Sequence, residues 1–164
     1  AVADHVFLGA GHALFAQGTR EGGARATRLA LERLGVPTEG YEQVDGSGLS
    51  RSNRVTAHQI VALIDKVLSQ DERSAACYRD SLAVAGETGT LSDRMERGAA
   101  RGRVRAKTGF IDGTSALSGV AYALDGRVFV FSILVNYPDF GGLNPSCWKP
   151  MQDEICVELV ETRP

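Results

Sequence analysis

The stretch from Arg103 to Asn136 constrains the fold of this chain more than any other. Arg103 to Ile111, Ala116 to Leu124 and Arg127 to Asn136 read as three strands, and Asp125-Gly126 between the last two is a two-residue hairpin signal. Strands joined so tightly run antiparallel, so a meander is expected rather than a parallel sheet. Val128, Val130, Ile133 and Val135, with Phe129 and Phe131 interleaved, suggest a last strand buried on both faces. A sheet with that much apolar surface needs helices to cover it.

Helical patterns lie on both sides of the strands. Residues 1–15 read as a helix with Val2, Val6, Phe7 and Ala10 on one side; no capping residue precedes it, so the beginning of a longer parent protein is expected to be missing. A second helix is predicted from Arg20 to Leu34, where Ala26, Leu29, Ala30 and Leu34 recur at helical spacing before Gly35-Val36-Pro37 stops it. Residues 38–54 hold no period and read as a long ordered loop. Thr56 and Gln59 form a capping box ahead of the stripe Ile60, Val61, Leu63, Ile64, Val67 and Leu68. Shorter helices are predicted near Ala75 to Leu82 and Leu91 to Arg97, separated by Gly86-Glu87-Thr88-Gly89. A closing helix starts near Pro150, with Met151, Ile155, Leu159 and Val160 as its apolar positions. Helices, then a sheet, then a covering helix define an α+β chain, one domain or a large piece of one.

Charge and cysteine content exclude several classes. Eighteen basic and 20 acidic side chains leave a formal charge of -2, so no global field draws the chain to nucleic acid or an anionic membrane. No apolar run reaches the ~18 residues of a membrane span. Cys77, Cys147 and Cys156 match no zinc or redox spacing and read as buried free thiols, with a bridge from Cys77 left open. His5 and His12 share a helical face, but no third residue is spaced to complete a metal site, and no cofactor is called for. Neither a Gly-x-Ser-x-Gly elbow nor a phosphate-binding Gly-Lys-Ser/Thr loop occurs.

Lys107-Thr108-Gly109 falls inside the first predicted strand. There a lysine supplies positive charge, a threonine a hydroxyl, and a glycine lets another backbone approach closely. A substrate with a free carboxylate fits such a strand, lying antiparallel as an added edge. Strict alternation places Lys107 and Thr108 on opposite faces, so one site can use both only at the sheet edge, by twist or a bulge. A solvated edge lysine is the plain alternative, and Arg101, Arg103 and Arg105 extend the same basic row.

Asp45-Gly46-Ser47-Gly48-Leu49-Ser50-Arg51 makes the pattern more specific. That loop, the opening AVADHVF, the segment Ala85 to Leu91 and the Ala106-Lys107-Thr108-Gly109 strand with its hairpin follow one another as in the low-molecular-mass penicillin-binding proteins of the D-alanyl-D-alanine carboxypeptidase/endopeptidase type, which this chain resembles over nearly its whole length. The resemblance implies the C-terminal portion of a transpeptidase-like domain, outside the cytoplasm, acting on peptidoglycan stem peptides and β-lactams through an acyl-enzyme. It implies that Lys107 sustains positive potential at the serine, that Thr108 binds the terminal carboxylate, that Gly109 permits close approach, and that the N–H of Phe110 is one oxyanion-hole donor. Asp45, Gly46, Ser47 and Gly48 would belong to a loop bordering the site.

Such enzymes also use a Ser-x-x-Lys and a Ser-x-Asn motif. No asparagine here has a serine two positions before it, and Ser146-Cys147-Trp148-Lys149, which spells the first motif, follows the strand that it should precede. The nucleophile is therefore expected from an N-terminal segment of the parent. A β-lactamase-like hydrolase and a non-catalytic remnant of the same fold remain as alternatives.

Overall fold

Four antiparallel strands lie side by side in sequence order: β1 Ala83–Val84, β2 Val104–Ile111, β3 Thr114–Tyr122 and β4 Val128–Asn136. The computed structural model describes residues 2–138 and 142–163, and the chain divides into two units, residues 1–66 and 67–164, with the sheet in the second. The expected meander is present, with shifted turns. β3 starts two residues before the predicted Ala116, because Asp112-Gly113, with Gly113 at φ +80, closes a two-residue turn between Ile111 and Thr114. Asp125-Gly126 does not. There the ladder ends at Tyr122 opposite Val128, and Gly126 (φ +91) occupies the left-handed position of a wider loop.

Residues paired across the strands share a face, and one face is the core. Val104, Ala106, Leu117 and Ala121 are fully buried there, with Phe131 from β4 beside them. Helix α5, Lys149–Glu161, covers this face with Gln152, Cys156 and Val160, spaced four apart. Of the predicted Met151, Ile155, Leu159 and Val160, Val160 is fully buried and Leu159 packs partly against the core, but Ile155 is 38% exposed, and a polar Gln152 takes an inner position because it has a partner on β3. β4 is half-buried rather than enclosed on both faces, for it forms the outer strand of the described sheet.

Gly119 in the middle of β3 is required by close approach. A Cβ at that position would lie 2.1 Å from the Arg105 carbonyl oxygen and 2.6 Å from the Ala106 Cα, both backbone atoms that cannot swing aside. Its neighbours carry the core contacts instead.

The remaining second-unit helix, α4 Glu72–Ser81, begins three residues earlier than expected because Asp71 caps it through the Ser74 N–H. No helix forms from Leu91 to Arg97. A single 3-10 turn, Gly89–Leu91, gives way to bends, since Met95 at φ +54 and Gly98 at φ +82 cannot continue a right-handed helix.

In the first unit, helices α1 (Val2–Phe15), α2 (Arg20–Arg33) and α3 (Ala57–Leu68) are present as expected. Thr19 caps α2, and Thr56 and Gln59 exchange the two bonds of the capping box at 3.1 and 2.9 Å. The α1–α2 contact is built on glycines: a Cβ on Gly11 would meet Gly22 and Gly23 backbone atoms at 2.5 and 2.6 Å. Phe7 and Gly11 are consequently the buried positions of α1, whereas Val2 and Val6, assigned to the apolar side from spacing, are 79% and 68% exposed.

All three thiols are free, but only Cys156 is buried; Cys77 and Cys147 are exposed, contrary to the sequence expectation. Burial pushes the Cys156 thiol up to about 12, with the Asp153 carboxylate adding to the effect and Arg94 opposing it. In the native protein at pH 7.5, a thiol reagent should therefore modify two cysteines, the third reacting only on unfolding, as read by mass spectrometry. Gly119→Ala should lower stability by about 3 kcal/mol or more in denaturant unfolding, while Gly126→Ala, in open space but at positive φ, should cost about 1 kcal/mol.

Candidate functional site

The site begins with the shortness of β1. That strand pairs with β2 only through Ala83 opposite Ala106 and Val84 opposite Arg105, so beyond Ala106 this edge of β2 carries no strand among the described residues. The Val104 carbonyl points to this side, where it accepts from the Ala85 N–H at 2.9 Å. Alternation then sends the main-chain groups of Thr108 and Phe110 to the same, open side. Lys107 is exposed on the opposite face from Thr108, yet its Nζ donates to the Thr108 carbonyl at 2.6 Å. Lysine and threonine therefore meet at the edge with no bulge, since eight consecutive pairs join β2 to β3 in unbroken register.

Beside this edge lies a cavity of about 350 Å³. Thr108, Gly109 and Phe110 form one wall with Ser115 and Ala116 of β3, and Thr90, Arg94, Asn144, Pro145 and the start of α5 form the rest. Its charged lining side chains, Arg94 and Lys149, are both basic. Thr108 Oγ1 donates to Thr90 Oγ1 at 3.0 Å. A Cβ on Gly109 would come within 3.2 Å of the Ala116 Cβ, so the bare glycine also serves the neighbouring strand.

A buried strap supports the cavity from behind. Arg94, 7% exposed, reaches Asp153 at 2.7 Å, and its guanidinium also donates to the Lys149 carbonyl and Gln152 Oε1, each at 3.2 Å. Gln152 Nε2 donates in turn to Ser115 Oγ at 3.1 Å, and Ser115 lies directly opposite Phe110. The sequence reading assigns no site role to Arg94, Ser115 or Gln152, and it includes Thr90 only as part of the segment Ala85 to Leu91. Each has an ordinary polar side chain in an unremarkable context, and only the pairing of distant segments brings them together.

The other sequence candidates sort differently. Ser146 donates its hydroxyl to the Gly142 carbonyl at 2.6 Å, and no hydrogen bond joins it to Lys149. Among the described residues no cluster of three or more metal-ligating side chains occurs. Of the basic row, Arg105 pairs with Asp80 at 3.5 Å and Arg101 approaches Glu87 at 4.0 Å, so part of it is neutralised locally. The loop of Asp45, Gly46, Ser47 and Gly48 belongs to the first unit. Asp45 is its hub, accepting from Ser47 Oγ, the Gly48 and Ser50 N–H groups and Asn53 Nδ2 at 2.9 to 3.0 Å. Gly46 and Ser47 donate to Asp4 of α1, and Gly46 sits so close that a Cβ would meet the Ala3 carbonyl at 2.4 Å.

An antiparallel sheet backed by a C-terminal helix, with Lys-Thr-Gly on its open edge, defines a penicillin-binding, transpeptidase-like fold. Penicillin binding protein 4 of Haemophilus influenzae, solved in complex with a β-lactam, matches it with a TM-score of 0.89 at 22% identity, over 98% of this chain and 38% of that one. The chain belongs to the D-Ala-D-Ala carboxypeptidase 3 (S13) family, whose model matches residues 1–151. It is 42% identical over 149 residues to a D-alanyl-D-alanine carboxypeptidase of Actinomadura, covering 88% of this chain and 26% of that protein. Carboxypeptidase DacB of Mycolicibacterium smegmatis is 38% identical over 120 residues, covering 71% and 26%. The chain thus spans about a quarter of the length of these relatives.

Burial alone would raise the Asp45 carboxyl, but the hydrogen bonds from Asn53, Ser47, Gly48 and Ser50 outweigh it and hold the group below its ordinary value. A carboxylate depressed in this way stabilises the fold fully above its unfolded pKa of about 3.9, and loses that contribution as pH falls through the lower folded value. Asp45→Asn should cost about 1–2 kcal/mol at pH 7. The difference from the parent chain in urea unfolding should shrink below about pH 4.

Proposed function

We propose that this chain is the Lys-Thr-Gly portion of a serine D-Ala-D-Ala carboxypeptidase that cleaves peptidoglycan stem peptides outside the cytoplasm through an acyl-enzyme. The open β2 edge carries this reading, because it offers a peptide two things at once. Main-chain groups of Thr108 and Phe110 face this open side, where an extended substrate can pair as the Lys107 ammonium yields the Thr108 carbonyl, and a cavity whose charged lining side chains among the described residues are basic takes its carboxylate end. The family and the named activities of the relatives agree with it.

In this mechanism a serine hydroxyl, activated by a lysine of the same motif, attacks the carbonyl of the penultimate D-Ala and expels the terminal D-Ala. Both groups come from a segment of the parent protein outside these 164 residues. This chain contributes what surrounds the reacting carbonyl. The Phe110 N–H donates to the developing oxyanion, a contribution of about 3 kcal/mol to the transition state. Lys107, held by the Thr108 carbonyl, keeps positive potential at the edge, and the Thr108 hydroxyl receives the terminal carboxylate. A β-lactam carries its carboxylate and strained amide in the same relation, so it acylates the same serine. The Haemophilus protein's β-lactam complex and a Bdellovibrio endopeptidase acylated by penicillin G support that step.

Labelling the full-length parent with a fluorescent penicillin tests the proposal directly. A covalent band that unlabelled penicillin competes away is expected; no band would favour a non-catalytic remnant, and a band lost within minutes a β-lactamase. Thr108→Val should slow acylation about tenfold or more, the loss of one hydrogen bond to a charged group, with the thermal midpoint nearly unchanged.

A further inference from the structure

Thr90 falls in the segment Ala85 to Leu91, to which the sequence reading gives no role at the site, yet its hydroxyl is 3.0 Å from that of Thr108, and both side chains line the cavity. We propose that Thr90 is a substrate-binding residue: its hydroxyl and that of Thr108 form a two-pronged clamp, one hydroxyl for each oxygen of the substrate's terminal carboxylate. The inference rests on the carboxypeptidase reading above and adds to it a second residue that selects for a free C-terminus.

Three observations carry it. The first is spacing. Two hydroxyls in mutual hydrogen-bond contact can each turn a proton outward to adjacent acceptors, and a carboxylate presents two such acceptors in one plane. Without substrate the Thr108 hydroxyl donates to Thr90, so neither oxygen is left unsatisfied while the clamp is empty.

The second is the rigidity of the Thr90 backbone. Thr90 occupies the middle of the single turn Gly89–Leu91, whose Leu91 side chain is fully buried in the core. The preceding residue, Gly89, is left-handed (φ +57) and packs on Ala83 of β1, and Thr88 Oγ1 accepts from the Val84 N–H at 3.0 Å. The turn is thereby fixed to the strand whose end opens the β2 edge. On its other side, Arg94 is anchored in α5 through Asp153 and Gln152. A hydroxyl placed this firmly loses little entropy when it binds a ligand.

The third is charge. Among the described residues no acidic side chain lines the cavity; Lys149 lines it with a positive charge, and so does Arg94, its charge shared with Asp153 behind the wall. The surroundings of the hydroxyl pair therefore favour an anion over a neutral or cationic group.

The experiment uses full-length parent protein and two peptide substrates ending in D-Ala-D-Ala, one with a free C-terminal carboxylate and one amidated. Wild type, Thr90→Val and Thr90→Ser are compared by kcat/KM on each, with thermal midpoints and the penicillin label recorded in parallel. Wild type should prefer the free acid. Thr90→Val should lose roughly tenfold or more on the free acid and little on the amide, collapsing the preference, and Thr90→Ser should restore it. Equal losses on both substrates would mark Thr90 as structural and overturn the clamp, as would a Thr90→Val enzyme with its preference intact. A wild type that takes no penicillin label sinks the carboxypeptidase reading itself, and this inference with it; a labelled wild type whose preference ignores Thr90 sinks the clamp alone.

Discussion

The second unit is organised around an incomplete strand pairing. A two-residue β1 lies opposite Arg105 and Ala106 of β2 and then stops, leaving the groups of Thr108 and Phe110 without a neighbouring strand. An open edge of that kind is usually a liability, since it templates pairing with another chain. Here it is short, its first carbonyl is covered by the Lys107 ammonium, and a hydroxyl from the next turn stands over Thr108. The devices that blunt the edge are also the groups proposed to hold the substrate. Protection in the free protein and recognition in the complex thus draw on the same atoms.

Behind the edge, stability and site geometry share one polar strap. Arg94, Asp153, Gln152 and Ser115 join the Thr90 turn, α5 and β3, and a buried charge pair of this sort contributes less net stability than specificity of arrangement. Removing either partner would leave an uncompensated charge, so the arrangement is all-or-none. Since Ser115 faces Phe110 across the β2–β3 ladder, the strap also fixes the strand whose N–H is proposed to donate to the oxyanion. In the first unit, the Asp45 loop has the same logic on a smaller scale: one carboxylate gathers four donors, and Asp4 of α1 takes two more.

Much of this was legible in order and type. The meander, the closing helix, the capping box at Thr56 and Gln59 and the long loop are all local patterns, set by periodicity and turn chemistry within a few residues. The misreadings have local causes of their own. Leu91 to Arg97 carries helical composition, but Met95 in the left-handed region breaks it while Arg94 turns inward to a helix more than 50 residues away. Val2 and Val6 have the right spacing for a buried stripe and are exposed, because α1 approaches α2 through Gly11 and through Phe7 packed on Gly23.

By itself the sequence determined which of the longer segments are helix and strand, that the strands run antiparallel, and that lysine, threonine and glycine stand together on one of them. Those properties follow from neighbours in the chain. Tertiary structure alone decided that β1 ends two pairs short of Thr108, that Thr90 meets its hydroxyl, and that Arg94 and Gln152 close the space behind it. The physical reason is that a hydrogen bond between residues 18 or 58 apart leaves no period in the sequence. It exists only once the core formed by Leu91, Leu117 and Cys156 has drawn three segments into contact.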